Sequence, residues 1–188
     1  MIKEKDVYEF PGQAQALAIR NIPDADQSVT AEVLMERLTD YFGSNAITAS
    51  VEKDIYSFKT GVFKSEQVPC VVISHSEKPK SFRKLVIAIK HANGITVLAP
   101  GMYGDSEVDR LIKKQDKRHQ KYDRKQRKID RSEDLTSAIG GVAMAGVNSL
   151  MQKSLMKKVD ALSPEENNFH QSIVNAAAAV CDSFRVTA

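Results

Sequence analysis

The sequence has few of the features that identify a function at first reading. Its 188 residues contain no tryptophan, and seven phenylalanines and five tyrosines are the only large aromatic side chains. A surface that stacks nucleic-acid bases on aromatic rings is therefore not indicated. The two cysteines, Cys70 and Cys181, lie far apart in apolar surroundings, which favours buried thiols over a disulfide framework or a zinc site.

Catalytic and cofactor signatures are also missing. The glycine-rich stretch 140–146 lacks both the GxGxxG order and the Lys-Ser/Thr ending of a phosphate-binding loop. Acidic clusters such as Asp24 with Asp26 are explained by turns and helix starts, and no serine or cysteine stands in a known nucleophile motif. The histidines have no ligand spacing, so no metal and no cofactor is predicted: His75, His91, His119 and His170. The protein is expected not to be an enzyme, although a site assembled across the fold would leave no such signature.

Two segments of the sequence bear on where in the cell the protein is located. Residues 1–6 carry charges where a secretory signal peptide is apolar, so a cytoplasmic protein is expected. Residues 135–152 contain no charged side chain, and this length lies at the lower edge of a membrane span. Because polar residues and three glycines dilute the apolarity of this stretch, packing against another helix is the preferred interpretation.

The N-terminal half has the pattern of an α+β domain over residues 1–104. A helix from Val29 to Phe42 is predicted by apolar residues at helical spacing, with Ser28 as its cap and Gly43 in the left-handed position past its end. The Asn93-Gly94 pair predicts a tight hairpin between residues 84–90 and 95–99. Other strands are predicted at residues 15–20, 46–51, 55–63 and 68–74, with a turn at 21–24 and a break at 100–104. These elements predict a largely antiparallel sheet of five or six strands with one covering helix.

Residues 105–188 have the pattern of a helical region. A long charged helix is predicted at about 105–134, and a helical hairpin at about 136–184, whose second helix starts with Ser163 as cap and Pro164 in its first turn. The buried stripe of that second helix is predicted to be Phe169, Ile173, Ala176, Ala177, Val180 and Phe184. Small side chains form a ridge that favours helix association, including association between chains: Ser137, Gly141, Ala145 and Ser149.

Positive charge is concentrated in the long helix. Residues 113–128 contain nine lysines and arginines and two aspartates, a local charge of +7 in a chain whose net charge is +3. Five of these cations recur every three or four residues and so share one helical face: Lys113, Lys117, Lys121, Arg124 and Lys128. We call these five residues the basic face. Aspartates at 109, 116, 123 and 130 recur every seven residues, which suits ion pairing and leaves a merely solvated helix as the alternative.

A second group of cations is predicted in the connection before residue 84. Lys78, Lys80, Arg83 and Lys84 could surround a phosphate, although loops of this composition are more often simply solvated. From these patterns the sequence predicts a binding or assembly module whose basic face meets an anionic partner or another protein chain. The alternatives are a peripheral protein on an anionic membrane, a nucleic-acid-binding protein, and an enzyme with an unseen site.

Overall fold

The computed structural model describes residues 1–8, 19–60, 64–129, 157, 160 and 162–184, and only the backbone of 8, 119, 122 and 125–129. The chain divides into two compact units, the first made of Met1–Gly104 with Asn167–Ala188 and the second of Asp105–Glu166. The described residues form a mixed α+β fold, as the sequence predicts. Among them, no helix combines the length and the apolarity needed to cross a membrane.

The strands of the first unit are β1 (Ile2–Lys3), β2 (Val7–Tyr8), β3 (Arg20–Pro23), β4 (Ala49–Lys59), β5 (Ser65–His75), β6 (Lys84–Ala92) and β7 (Ile95–Tyr103). They form one sheet in the order β1-β4-β5-β6-β7-β2, and β3 also pairs with β7. The consecutive pairs from β4 to β7 are antiparallel, whereas β1 is parallel to β4. Helix α1 covers Ala31–Ser44, α2 covers Glu107–Ile129, and α3 covers residues 162–183.

The sheet is strongly curled, because a short segment joins its two outer strands. β1 and β2 lie at opposite ends of the strand order, so five inter-strand steps would separate them by about 24 Å in a flat sheet. The chain from Lys3 to Val7, which includes the 3-10 turn Glu4–Asp6, can span at most about 14 Å. The sheet must therefore bend until β1 and β2 approach each other.

The main core lies between one face of this sheet and two helices. Helix α1 buries Leu34, Leu38 and Phe42, in agreement with the predicted periodicity. The stripe predicted for the last helix is confirmed as well, since all six of its residues are buried, and this places residues 169–184 in the core of the first unit. The other face of the sheet carries a second apolar cluster whose buried members are Ile2, Val68, Cys70, Val72, Val86 and Ala88.

The tight hairpin between β6 and β7 is confirmed. Asn93 and Gly94 have φ angles of 52° and 73°, the left-handed values that a two-residue turn of this type requires. The break predicted at 100–104 is wrong, because β7 runs to Tyr103 and pairs with both β6 and β2. The separate strands predicted at 46–51 and 55–63 are also wrong, since one continuous strand covers Ala49–Lys59 and holds its charged middle at a sheet edge.

Several predicted boundaries also differ from the structure. Thr30, not Ser28, caps α1 by accepting a hydrogen bond from the Val33 amide, because Ser28 is bound to Asp24 instead. Gly43 lies inside α1, and the left-handed residue after the helix is Ala46. The turn predicted at 21–24 is partly strand, since Asn21, Ile22 and Pro23 pair with β7. Ser163 is not a cap, because residue 162 is already helical.

Part of the predicted helical region cannot be compared with the structure. Most of the first helix of the predicted hairpin, at residues 136–162, and the end of the charged helix, at 130–134, lie outside the described residues. The small-residue ridge of Ser137, Gly141, Ala145 and Ser149 also lies there, so its proposed role in helix association stays a prediction.

Candidate anion-binding surface

Helix α2 starts at a reciprocal cap. The Ser106 hydroxyl oxygen accepts a hydrogen bond from the Asp109 amide at 3.1 Å, and an Asp109 carboxylate oxygen accepts one from the Ser106 amide at 2.9 Å. This exchange satisfies two backbone donors and places negative charge at the positive end of the helix dipole. Ser106 was not predicted as the cap from the sequence. The cap fixes where the helix begins and therefore which residues share each of its faces.

The basic face is exposed as far as the structure describes it. Lys113, Lys117, Lys121 and Arg124 are all exposed, and the side chain of Lys128 is outside the described part. Lys113 binds Asp105, with its ammonium nitrogen 2.7 Å and 2.8 Å from the two carboxylate oxygens. Within the described ranges, no acidic side chain lies at ion-pair distance from Lys117, Lys121 or Arg124. Within the described part of the chain, the positive charges of these three residues are exposed to solvent and are not neutralised by an ion pair.

Further cations widen this positive surface. A shallow groove of about 450 Å³ runs between six cationic side chains, which are Arg110, Lys113, Lys114, Lys117, Arg118 and Lys121. Among the described residues, no acidic side chain lines the groove. A concave space lined by several cations attracts anions.

The other sides of α2 have different properties. Asp116 and Asp123 are exposed, and each lies about 100° around the helix from the cation that follows it, Lys117 or Arg124. Val108, Leu111 and Gln115 are half-buried and recur at intervals of three and four residues, so they mark a packed side. The exposed basic face therefore lies between an acidic line and a packed side of the helix.

The chain was compared with protein-family models, with curated proteins and with solved structures. None of them matches. The function must therefore be argued from the residues and their geometry.

The four cations of the second predicted cluster lie in two parts of the first unit. Lys78 and Lys80 are exposed in the turn region between β5 and β6, whereas Arg83 and Lys84 are half-buried. Lys84 is the first residue of β6, and by strand alternation its side chain is on the same face as Val86, the face opposite the helices. The charges of this cluster are thus divided between a loop and one face of the sheet.

Asp24 forms a buried network that the sequence analysis missed. Its side chain is 2% exposed, and its carboxylate accepts hydrogen bonds from the amides of Ser28 (2.8 Å) and Val29 (3.1 Å). The hydroxyls of Ser28 (2.9 Å) and Thr96 (2.6 Å) also donate to it. Burial by itself raises the pKa of Asp24, but the hydrogen bonds from Thr96, Val29 and Ser28 outweigh it and hold the pKa well below its usual value.

The Asp24 network explains why the neighbouring cleft is a poor candidate for catalysis. This cleft has a volume of about 590 Å³ and is lined by Asp24, Asp26, Arg37 and Phe184 among others. Both oxygens of Asp24 are occupied, and the Arg37 guanidinium lies 4.1 Å from the centre of the Phe184 ring and donates a hydrogen bond to the Ser183 hydroxyl. Asp24 joins the loop before α1 to β7, and Arg37 joins α1 to α3, so both side chains have a structural role. In the described ranges, no group of three or more metal-ligating side chains occurs.

Proposed function

We propose that the protein is a non-enzymatic binding module and that the basic face of α2 engages an anionic partner. The observation that carries the proposal is the exposure of Lys117, Lys121 and Arg124 without an acidic partner in the described part of the chain. Some cations elsewhere in the fold are paired, since Arg20 binds Asp182 at 2.8 Å and Lys53 binds Glu32 at 2.8 Å.

The unpaired cations also carry a cost in the free protein. Lys117 and Lys121 are four residues apart on α2, and like charges at this spacing destabilise a helix by about 0.2–0.5 kcal/mol per pair. An anionic partner would remove this repulsion and add attraction of about 1 kcal/mol for each cation close to a charged surface. The exposed cations Lys117, Lys121 and Arg124 should therefore give measurable binding at low ionic strength.

The proposal leads to a direct binding experiment with two defined probes. A fluorescent DNA duplex and vesicles containing phosphatidylglycerol represent a charged polymer and a charged surface. At low ionic strength we expect the protein to bind at least one of them, and the affinity should fall as salt is added, because the attraction is electrostatic. The probe that binds more tightly would show whether the partner is a nucleic acid or a membrane.

The test variant carries Lys117→Gln, Lys121→Gln and Arg124→Gln. We expect it to bind about tenfold more weakly or worse, because three of the exposed cations are lost. The matched control carries Lys64→Gln, Lys78→Gln and Lys80→Gln, which removes the same charge from loops of the first unit. Equal weakening in both variants would show that binding follows net charge alone, and failure of the wild type to bind either probe would refute the proposal.

A further inference from the structure

A second basic site lies in the first unit, where the N-terminal segment meets the end of β4. A cleft of about 440 Å³ is lined there by Lys3, Glu4, Lys5, Ser57, Phe58, Lys59 and Ser65. Its volume is within the range of small-ligand sites. We propose that this cleft binds a phosphate group, carried either by a small molecule or by a lipid.

The strand register places the polar groups of this cleft on one side of the sheet. Lys3 on β1 is opposite Ser57 on β4, and Lys59 is opposite Ser65 on β5. Ser57 and Lys59 are two residues apart on one strand and so point to the same face. Two ammonium groups and two hydroxyl groups are thus brought together by backbone pairing, although Lys3 is more than fifty residues from the other three in the chain.

The turn that carries Lys5 is fixed to the same strand. A Glu4 carboxylate oxygen accepts a hydrogen bond from the Lys59 amide at 3.1 Å, which ties the 3-10 turn to the end of β4. Among the described residues, Glu4 is the only acid that lines the cleft, and its carboxylate already accepts this hydrogen bond. The cleft therefore keeps an excess of positive charge in a setting that the backbone holds in place.

The chemistry of the lining selects an anion with several oxygen atoms. Lys3, Lys5 and Lys59 are exposed, and in the described ranges none of them has an acidic side chain at ion-pair distance. Ammonium groups supply charge and three donors each, and serine hydroxyls add neutral donors, a combination that matches the oxygens of a phosphate. Phe58 packs against the apolar cluster on the other face of the sheet, so the polar side of the cleft is expected to recognise the phosphate group itself.

This site is separate in residues and in chemistry from the basic face of α2. The basic face is an open surface along one helix, whereas the cleft combines lysines with serine hydroxyls. The cleft therefore suits a discrete phosphate group, and its occupancy does not depend on whether α2 has a partner.

Nuclear magnetic resonance titration of the full chain with inorganic pyrophosphate tests the proposal without any substitution. We expect saturable shifts of the amide signals of Lys3, Ser57, Lys59 and Ser65, with smaller changes along α2. Shifts confined to α2, or no saturable shift at millimolar pyrophosphate, would overturn the proposal.

A variant with Lys3→Gln and Lys59→Gln provides the second measurement. We expect about tenfold weaker pyrophosphate binding, because two of the three cations are removed, whereas the variant with substitutions at Lys117, Lys121 and Arg124 should bind pyrophosphate as the wild type does. If the variant with substitutions at Lys117, Lys121 and Arg124 lost pyrophosphate binding and the Lys3 and Lys59 variant kept it, the proposed site would be refuted. Should the first variant unfold, the wild-type titration still decides.

Two sources of the phosphate are distinguished by comparing free and membrane-bound ligands. Vesicles containing phosphatidic acid present a phosphate monoester, and those containing phosphatidylglycerol present the diester as a control. If the Lys3 and Lys59 substitutions weaken binding to phosphatidic acid vesicles and not to phosphatidylglycerol vesicles, the ligand is a lipid headgroup. If the protein binds pyrophosphate and neither kind of vesicle, the ligand is a soluble phosphate compound. Both results support the site, whereas an equal loss with both lipids would reduce it to nonspecific charge.

Discussion

Replacing Asp24 by alanine should destabilise the first unit more than the loss of one side chain usually does. The carboxylate accepts four hydrogen bonds, two of them from the amides of Ser28 and Val29, and it is almost fully buried. Alanine leaves these donors without an acceptor, and each unsatisfied buried group costs about 1–3 kcal/mol. Allowing some rearrangement of the loop, we expect the free energy of unfolding to fall by about 3 kcal/mol.

The assay is urea unfolding followed by tyrosine fluorescence, because Tyr56 and Tyr103 lie on strands of the first unit. Two controls bracket the effect. Asp26→Ala removes an exposed acid nearby and should change the free energy of unfolding by about 0.5 kcal/mol or less. Thr96→Val removes one donor to the carboxylate and should cost about 1 kcal/mol. If Asp24→Ala were within about 1 kcal/mol of the wild type, the reasoning from satisfied hydrogen bonds would be wrong.

The acid dependence of stability gives a further check on Asp24. Because its folded pKa is lower than the ordinary value of 3.8, the unfolded chain binds a proton first as pH falls. The stabilisation by the charged carboxylate is therefore complete above about pH 4 and is lost progressively below it. The difference in unfolding free energy between the wild type and Asp24→Ala should shrink over that range, and a difference that stayed constant would contradict the pKa assignment.

Two further predictions concern the cysteines and two glycines. Burial raises the pKa of Cys70 to about 11 and that of Cys181 to about 12. Neither thiol should therefore react with a disulfide reagent at mildly alkaline pH until urea unfolds the chain. Rapid reaction of the native protein would contradict this prediction, because it would show that the thiols are accessible. Gly94→Ala should destabilise the protein by about 1 kcal/mol, because the φ of Gly94 is +73°, a left-handed value. Gly43→Ala should stabilise the protein by about 0.5 kcal/mol, because Gly43 is helical and an added methyl group would meet no atom within 4 Å. Thermal melts that shift in the same direction for both variants would contradict these predictions.

The features predicted correctly from the sequence depend on short-range patterns. The Asn93-Gly94 turn is encoded in two residues, and the buried stripe from Phe169 to Phe184 is encoded in a spacing of three and four. The position of Lys113, Lys117 and Lys121 on one face of α2 follows in the same way from the period of the helix. A local code of this kind needs no knowledge of the rest of the fold.

The features that the sequence analysis missed depend on contacts between distant residues. β1 and β2 contain two residues each, which is too short for a periodic pattern, and they become strands only by pairing with β4 and β7. The phosphate cleft exists only once Lys3 and Ser57 are in register. Asp24 has the sequence context of a turn, and its partner Thr96 is 72 residues away. No local spacing predicts these contacts.

The central claim is that the exposed cations of α2 meet an anionic partner. Lysine acetylation with mass spectrometry tests it directly, when the full chain is labelled with and without whichever of the DNA duplex and phosphatidylglycerol vesicles it binds. Our account predicts that the probe lowers the reactivity of Lys117 and Lys121 severalfold and leaves that of Lys64 unchanged. Protection of Lys64 to the same extent, or unchanged reactivity of Lys117 and Lys121 in the bound state, would contradict it.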